Sequence, residues 1–281
     1  MINADPKTVA GFGEEWSYFP QTEIDRDERQ RAFDAYFSIF PWHRLPANAC
    51  GADVGCGSGR WAAMVASRVG KLHLVDASVA ALEVARAALT ATSNLEFHHA
   101  SVDAMPLKNG SLDFAYSLGV LHHVPDTAGA IRSIASKLKT GAPFLIYLYY
   151  AFDNRPAWYR MLWNITNAMR RVISKTPFVV RIVISSVLAA LVYLPLAKMG
   201  GMLERTGLMP ANWPLGYYRD KSFYTMRTDA LDRFGTRLEH RFSRREICVM
   251  LESAGFVEIR FSEAAPYWCA VGFKGNRSTE A

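Results

Sequence analysis

The apolar positions change rhythm three times along the chain. From residue 49, short apolar runs alternate with stretches of helical spacing. The runs 49–54, 72–75, 95–98, 112–116 and 143–149 read as strands, and 61–69, 79–89 and 127–138 place apolar residues three and four apart. Asp126 stands where the last of these helices needs an N-cap, and Gly141 follows near its end. Strands alternating with helices predict a parallel sheet wrapped on both faces, because parallel neighbours need a crossover and helices supply it. This α/β core covers 45–150, preceded by an aromatic segment over 1–44.

The second rhythm begins after residue 150. Trp158, Leu162, Ile165, Met169 and Val172 recur at steps of three and four, with Arg160, Arg170, Arg171 and Lys175 on the other sides. This spacing predicts a basic amphipathic helix over 156–175. The segment 178–199 is almost wholly apolar. Its uncharged stretch 182–197 lies between Arg181 and Lys198 and contains Pro195, which makes it short and interrupted beside the roughly 20 residues a spanning helix needs. From 206 the chain returns to soluble style. Ser243 and Glu246 form a capping box that opens a helix to about 254, and the runs 257–261 and 267–273 predict an antiparallel hairpin. The chain thus divides into 1–44, 45–150, an insertion over 151–205, and 206–281.

Composition narrows the class. Of 281 residues half are apolar, 21% charged and 12% aromatic, which excludes disorder, collagen-like repeats and a disulfide-stapled miniprotein. The net charge of +6 lies wholly in 151–205, which holds eight basic and two acidic residues; the flanks cancel each other. Positive charge packed into an apolar stretch points away from nucleic acid and toward anionic head groups, with Trp158 and Trp163 at the boundary. The other reading of 156–199 is a helical hairpin that buries its apolar side on the core or on a second subunit of a homodimer. Cys50, Cys56, Cys248 and Cys269 form no C-x-x-C pair and no His lies at zinc-ligand spacing, so neither a metal site nor a disulfide framework is expected. The first residues lack a basic stretch followed by an apolar one, so a cytoplasmic location, peripheral at a membrane, is expected.

The candidate chemistry collects at the strand ends. Asp53-Val-Gly55-Cys-Gly57-Ser-Gly59 lies between the first strand and the first helix, where glycines let backbone approach a ligand and free N–H groups greet it. Arg60 stands where the dinucleotide fingerprint needs its third glycine, which disfavours a nicotinamide enzyme. Asp76 ends the second strand, where a carboxylate can accept bonds from both hydroxyls of a ribose, and Asp103 follows the third. Ligands of open α/β sheets bind at this edge.

These residues resemble the class I S-adenosylmethionine-dependent methyltransferases, in particular the broad group that methylates small molecules. The motifs ADVGCGSGRW, LVDAS, ASVDAMPL, GSLDFAYSLGVLHHVPD and LKTGAPFLIYLYY stand in family order and at family spacing, over about 100 residues. The resemblance implies a doubly wound, mostly parallel seven-stranded sheet of Rossmann-like type and S-adenosyl-L-methionine as cofactor. It implies Gly55, Gly57 and Gly59 at the amino-acid portion of the cofactor with Asp53 nearby, Asp76 at the ribose, Asp103 and the amide of Ala104 at the adenine, and Ser117 beside the methionine portion.

Methyl transfer from a sulfonium needs alignment above all, and a base only when the acceptor must lose a proton. His122 and His123 are the candidates for that base; their alternative is to shape the pocket or bond backbone. For the acceptor, the aromatic cluster around Tyr18 and the stretch with Tyr218, Arg219 and Tyr224 are the candidates, the latter because its polar groups follow no helical or strand period. The expected activity is methylation of a small-molecule or lipid/glycan-linked acceptor, with an RNA methyltransferase and a non-catalytic, membrane-anchored cofactor-binding scaffold as the alternatives.

Overall fold

A computed structural model describes residues 3–276 except 22 and 211. Its contacts divide the chain into two compact units. One comprises Met1–Pro20, Ala32–Ala151 and Leu238–Ala281, and the other Gln21–Arg31 and Phe152–Arg237. The second unit thus runs on past residue 205, where composition alone had closed the insertion.

The first unit begins with α1 (Pro6–Tyr18), capped by Asp5, which accepts from the Thr8 amide at 2.8 Å. Helix α2 (Arg26–Phe37) follows, shared between the units. The alternating region then folds as β1 (Cys50–Val54), α3 (Ala62–Ala66), β2 (Lys71–Asp76), α4 (Val79–Ala88), β3 (Leu95–His99), β4 (Phe114–Leu118), α5 (Thr127–Lys137) and β5 (Pro143–Tyr147). The five strands are parallel. The sheet has seven strands in the order β3-β2-β1-β4-β5-β7-β6, and the two at its end come from the C-terminal hairpin, with β7 antiparallel to β5.

Period-two alternation sorts the strand residues between the two faces. Leu72, Leu74, Phe114, Tyr116 and Leu145 join Ala62, Val65 and Leu82 of the α3 and α4 crossovers in one cluster. Ala52, Val54, Val75, Ala115, Phe144 and Ile146 join Ile131 and Ile134 of α5 in the other. Side chains that alternate in the sequence therefore fill two separate cores, which is why the strands read as near-continuous apolar runs.

The second unit is helical: α6 (Ala157–Ile173), then α7 (Phe178–Leu188), a π turn (Ala189–Tyr193) and α8 (Leu194–Arg205) in unbroken succession, then α9 (Phe223–Gly235). Phe178–Arg205 forms one helix of 28 residues, long and apolar enough to cross a membrane by length and composition. Pro195 does not interrupt it. A proline at this position cannot donate to the carbonyl one turn back and its ring crowds that carbonyl; the wider π turn immediately before it makes room.

The buried and exposed sides of this helix are inverted relative to a soluble one. Ser185, Ala189, Tyr193, Ala197 and Gly200 are buried at steps of four, four, four and three, with Ala189, Tyr193 and Ala197 packing with Met226, Ala230 and Phe234 of α9, while Val179, Val183, Val187, Leu191 (72% exposed) and Met202 face outward. Helix α6 does the same. Its apolar stripe Trp158, Leu162, Ile165, Met169 and Val172 (69% exposed) is outward. Its buried side holds Asn167, Arg170 and Ile173. Arg170 therefore departs from the solvated cationic face that the spacing predicts. Its Nε donates to Asn167 Oδ1 at 2.9 Å and its Nη1 to the carbonyls of Thr236 at 2.7 Å and Arg237 at 3.0 Å. The free carbonyls at the C-terminal end of α9 select a guanidinium over the larger apolar side chains.

The chain ends in α10 (Arg244–Ser253), opened by the capping box of Ser243 and Glu246, and in β6 (Phe256–Phe261) and β7 (Cys269–Lys274).

Candidate active site

The C-terminal ends of β1, β2 and β4 build the site. After Val54 the backbone turns through Gly55 at φ +80° and Gly57 at φ +54°, a region that side chains rarely adopt. Space demands glycine here as well. A Cβ on Gly55 would lie 2.3 Å from Val120, and one on Gly57 would lie 3.0 Å from the Trp16 indole. The Gly55 and Cys56 amides donate to the Val75 carbonyl at 2.7 and 3.1 Å, and the Gly59 amide donates to Cys56 O at 2.9 Å. The turn is thus tied to the end of β2 before any ligand arrives.

Asp76 completes that tie. Its Oδ2 accepts from the Gly57 amide at 2.9 Å and its Oδ1 from the Ser78 amide at 2.8 Å. Burial pushes its carboxyl above the usual range, opposed by those amide bonds. The same carboxylate keeps lone pairs on both oxygens for further donors such as paired hydroxyls.

Asp53, one position before the strand ends, is buried and accepts from the Tyr116 hydroxyl at 2.9 Å. Burial pushes its carboxyl up to about 8, with the nearby Asp76 adding to the rise and the Tyr116 bond and Arg60 opposing it. Sequence reading missed Tyr116, because its pairing with Asp53 is set by the β1–β4 register, across 63 residues. Ser58 was missed too. It is buried, and its Oγ finds no hydrogen-bond partner among the described residues.

Ser117 Oγ donates to the Val54 carbonyl at 2.8 Å, so its hydroxyl proton already serves the β1–β4 pairing. Asp103 lies in the 3₁₀ turn Val102–Ala104 after β3. The Ala104 amide donates back to Ser101 O at 3.0 Å, and the Asn3 amide donates to Asp103 Oδ2 at 3.0 Å. Asn3 also bridges Asp126 through both of its side-chain amide atoms, at 2.7 and 2.8 Å, so the N-terminal segment straps the ends of two loops.

His122 and His123 occupy the 3₁₀ turn Leu121–His123, which follows Val120 and therefore starts beside the glycine loop. His123 Nδ1 is 2.7 Å from the Leu238 carbonyl and must be the donor there. This leaves the lone pair on Nε2 in the neutral ring. His122 accepts from the Tyr149 amide at Nδ1, 3.4 Å, and stacks on the Tyr149 ring with centroids 3.8 Å apart. Burial, with His123 and Arg241 nearby, pushes its pKa well below the ordinary value, so the ring stays neutral. Phe12 of α1 packs on His123 at 4.9 Å.

Tyr18 closes α1, half exposed, with its ring edge-on to Phe19 at 4.8 Å. The other three acceptor candidates belong to the second unit and have partners inside it. Tyr218 is partly buried and tilted against Tyr193 at 5.1 Å; desolvation, together with Asp229, raises its pKa well above the ordinary value. Arg219 donates to Glu204 at 2.7 Å and to Gly216 O at 2.8 Å. The Tyr224 hydroxyl accepts from the Gln21 amide at 3.1 Å, and Tyr224 lies in the first turn of α9, capped by Ser222. Of the three, only Tyr224 lies in a helix; Tyr218 ends the 3₁₀ turn Gly216–Tyr218 and Arg219 follows it.

Comparison with known proteins finds relatives of the α/β core. Residues 52–146 match the family model described as "Methyltransferase domain". An O-methyltransferase from Pyrenophora dematioidea is 36% identical over 94 residues, covering 32% of this chain and 35% of that protein. A ubiquinone biosynthesis O-methyltransferase from Albidiferax ferrireducens is 38% identical over 106 residues, covering 37% and 40%. The chain thus spans well under half the length of these curated relatives. Among solved structures, a putative methyltransferase from Bacillus halodurans superposes with a TM-score of 0.51 at 16% identity, covering 83% of this chain and 72% of that one. The YcgJ protein of Bacillus subtilis gives 0.50 at 15%, covering 84% and 70%.

The sheet order and the glycine turn at the end of β1 define the class I methyltransferase fold. Residues 52–146 thus resemble the class I S-adenosylmethionine-dependent methyltransferases, a family whose cofactor is S-adenosylmethionine. The residues present fit that group: a turn at the end of β1 that only glycine can form, a buried hydroxyl at Ser58 with no hydrogen-bond partner among the described residues, and carboxyl groups at two adjacent strand ends.

Proposed function

We propose that the chain transfers a methyl group from S-adenosylmethionine to a hydroxyl of a small-molecule or lipid/glycan-linked acceptor at a membrane surface. The observation that carries this reading is the turn of Gly55 and Gly57, packed so closely by Val120 and Trp16 that only glycine fits, fastened to Asp76 and flanked by the Asp53 carboxyl and the buried Ser58 hydroxyl. S-adenosylmethionine supplies a methyl group already activated on a positive sulfur, so the chain's residues have mainly to bind and align. Asp76 would hold the ribose hydroxyls, Ser58 and the loop amides the amino-acid portion, and the turn after β3 with Asp103 and Ala104 the adenine.

Oxygen is favoured as the acceptor atom because two relatives carry the name O-methyltransferase. A hydroxyl must lose its proton as the new bond forms, and His123 Nε2 holds the lone pair that can take it, its ring fixed by Leu238 and Phe12. Support for a membrane surface comes from the second unit. Two helices keep their largest apolar side chains outward, beside Arg160, Arg171, Lys175 and Lys198, an arrangement suited to the boundary between head groups and acyl chains.

Equilibrium binding of labelled S-adenosylmethionine tests the cofactor reading. Binding by the wild type that is lost in Asp76→Ala supports it, and no binding by the wild type sinks it. Labelled-methyl transfer on a cell extract separated into lipid, aqueous and nucleic-acid fractions then tests the acceptor. Label in the lipid fraction is expected. Label only in the aqueous fraction removes the membrane acceptor, and label in RNA overturns the acceptor class.

A further inference from the structure

Away from the cofactor loop, β2 and β3 bring three ligand-bearing side chains together. His73 stands directly beside Glu96 in the parallel register, and His98 is two residues further along β3, so all three project from one face of the sheet. His73 Nδ1 lies 2.9 Å from His98 Nε2, Glu96 Oε2 lies 3.6 Å from His73 Nδ1, and Glu96 Oε1 lies 3.6 Å from His98 Nε2. The side chains of both histidines are 11% exposed and that of Glu96 47%, which leaves a route from solvent on the carboxylate side.

The fold explains why polar groups collect there. The crossovers through α3 and α4 pack on the face that carries Leu72 and Leu74. On the opposite face the return from β3 to β4 contains, among the described residues, only the 3₁₀ turn Val102–Ala104 and no α-helix. The β2–β3 corner of that face is thus left without a crossover helix to pack against.

We propose that His73, Glu96 and His98 bind one divalent ion of the zinc type, with two imidazole nitrogens, one carboxylate oxygen and an outward position for water. Tetrahedral zinc with bonds of about 2.0–2.1 Å holds its donor atoms roughly 3.3 Å apart. The imidazole nitrogens lie a few tenths of an ångström inside that value, and Glu96 offers each histidine a different oxygen at 3.6 Å, so opening the pair and rotating the carboxylate brings one oxygen to both. The facing nitrogens already share one N–H between two rings; a shift of that proton to the far nitrogen of its own ring turns both lone pairs inward with no net proton released. Lys71, whose ammonium now bonds Glu96, is the competing cation, and Arg86 is the other positive charge acting on His98. The bound ion would pin the edge strand β3 to β2, beside the loop that carries Asp103.

Cobalt(II) titration of metal-free protein tests the site, read as visible d–d absorption that saturates at one ion per chain and is displaced by zinc. The expected results are at least tenfold weaker binding in His98→Ala and in Glu96→Gln, tighter binding in Lys71→Ala, and a rise in Tm with zinc that the His73→Ala/His98→Ala protein lacks. Circular dichroism confirms that the variants are folded. Asp76→Ala is expected to bind cobalt like the wild type, which separates this site from the cofactor reading. No saturable absorption, absorption with thiolate-to-cobalt character, or binding unchanged in the histidine variants overturns the proposal.

Discussion

The Tyr116 hydroxyl donates a hydrogen bond of 2.9 Å to Asp53 Oδ2, joining two buried polar groups on neighbouring strands at the base of the cofactor loop. Tyr116 also packs edge-on against Phe37 at 5.3 Å, so Tyr116→Phe keeps the ring and removes only the donor. It is expected to cost about 1–3 kcal/mol in a urea unfolding curve, because a buried acceptor loses its partner. Cofactor affinity should fall in parallel.

Asp53 also sets a pH dependence. Folded and without cofactor it keeps its proton up to about pH 8, whereas in the unfolded chain it releases it near the ordinary value of 3.8. A folded value raised in this way contributes stability that is fully present below pH 4 and is lost as pH rises toward 8. Asp53→Asn removes that slope. Urea midpoints at pH 5, 7 and 8.5 should therefore diverge, with the variant gaining on the wild type as pH rises; parallel curves would exclude the buried, protonated carboxyl.

Crowding at the two loop glycines differs in kind. Gly55→Ala places a methyl group against the Cγ atoms of Val120 and also strains the backbone, so it should reduce cofactor affinity at least tenfold by calorimetry. Gly57→Ala meets only the edge of Trp16 at 3.0 Å. Adding Trp16→Ala should therefore recover the steric part of its loss and leave roughly 1 kcal/mol from the positive φ.

Two adjacent arginines of α6 should behave in opposite ways. Arg170→Ala leaves the buried Thr236 carbonyl and the part-buried Arg237 carbonyl without their donor and should lower stability by about 2–4 kcal/mol. Arg171→Ala, fully outward, should change stability by less than about 0.5 kcal/mol but weaken sedimentation with anionic vesicles.

The outward apolar face gives the complementary test. Val187→Lys and Leu191→Lys alter no buried contact, so Tm should hold within a few degrees. Binding to neutral vesicles should drop several-fold if these residues enter the acyl boundary, and unchanged vesicle binding in both variants would remove the membrane surface from the proposed function.

The α/β core was legible in the chain because its signals are local. Alternation and capping residues placed β1 to β5 within two or three residues, and Ser243 with Glu246 marked α10. The glycine loop was legible because only glycine satisfies a positive φ and a close approach at the same position. Register and burial were not local, and there the reading ran out. Tyr116 joins Asp53 across 63 residues, and the two histidines with Glu96 meet across 23 to 25. Periodicity also shows that a helix is two-sided without showing which side turns inward. In α6 that choice fell to Arg170, because unpaired carbonyls near the end of α9 bind a guanidinium. Pro195 likewise marked a break in sequence, yet a π turn absorbed it and left one continuous helix. The chain by itself thus determined which segments fold and where the cofactor loop lies, through propensities that act over a few residues. Partner, face and continuity were decided only in the tertiary structure, where hydrogen bonds and space are shared between residues far apart in sequence.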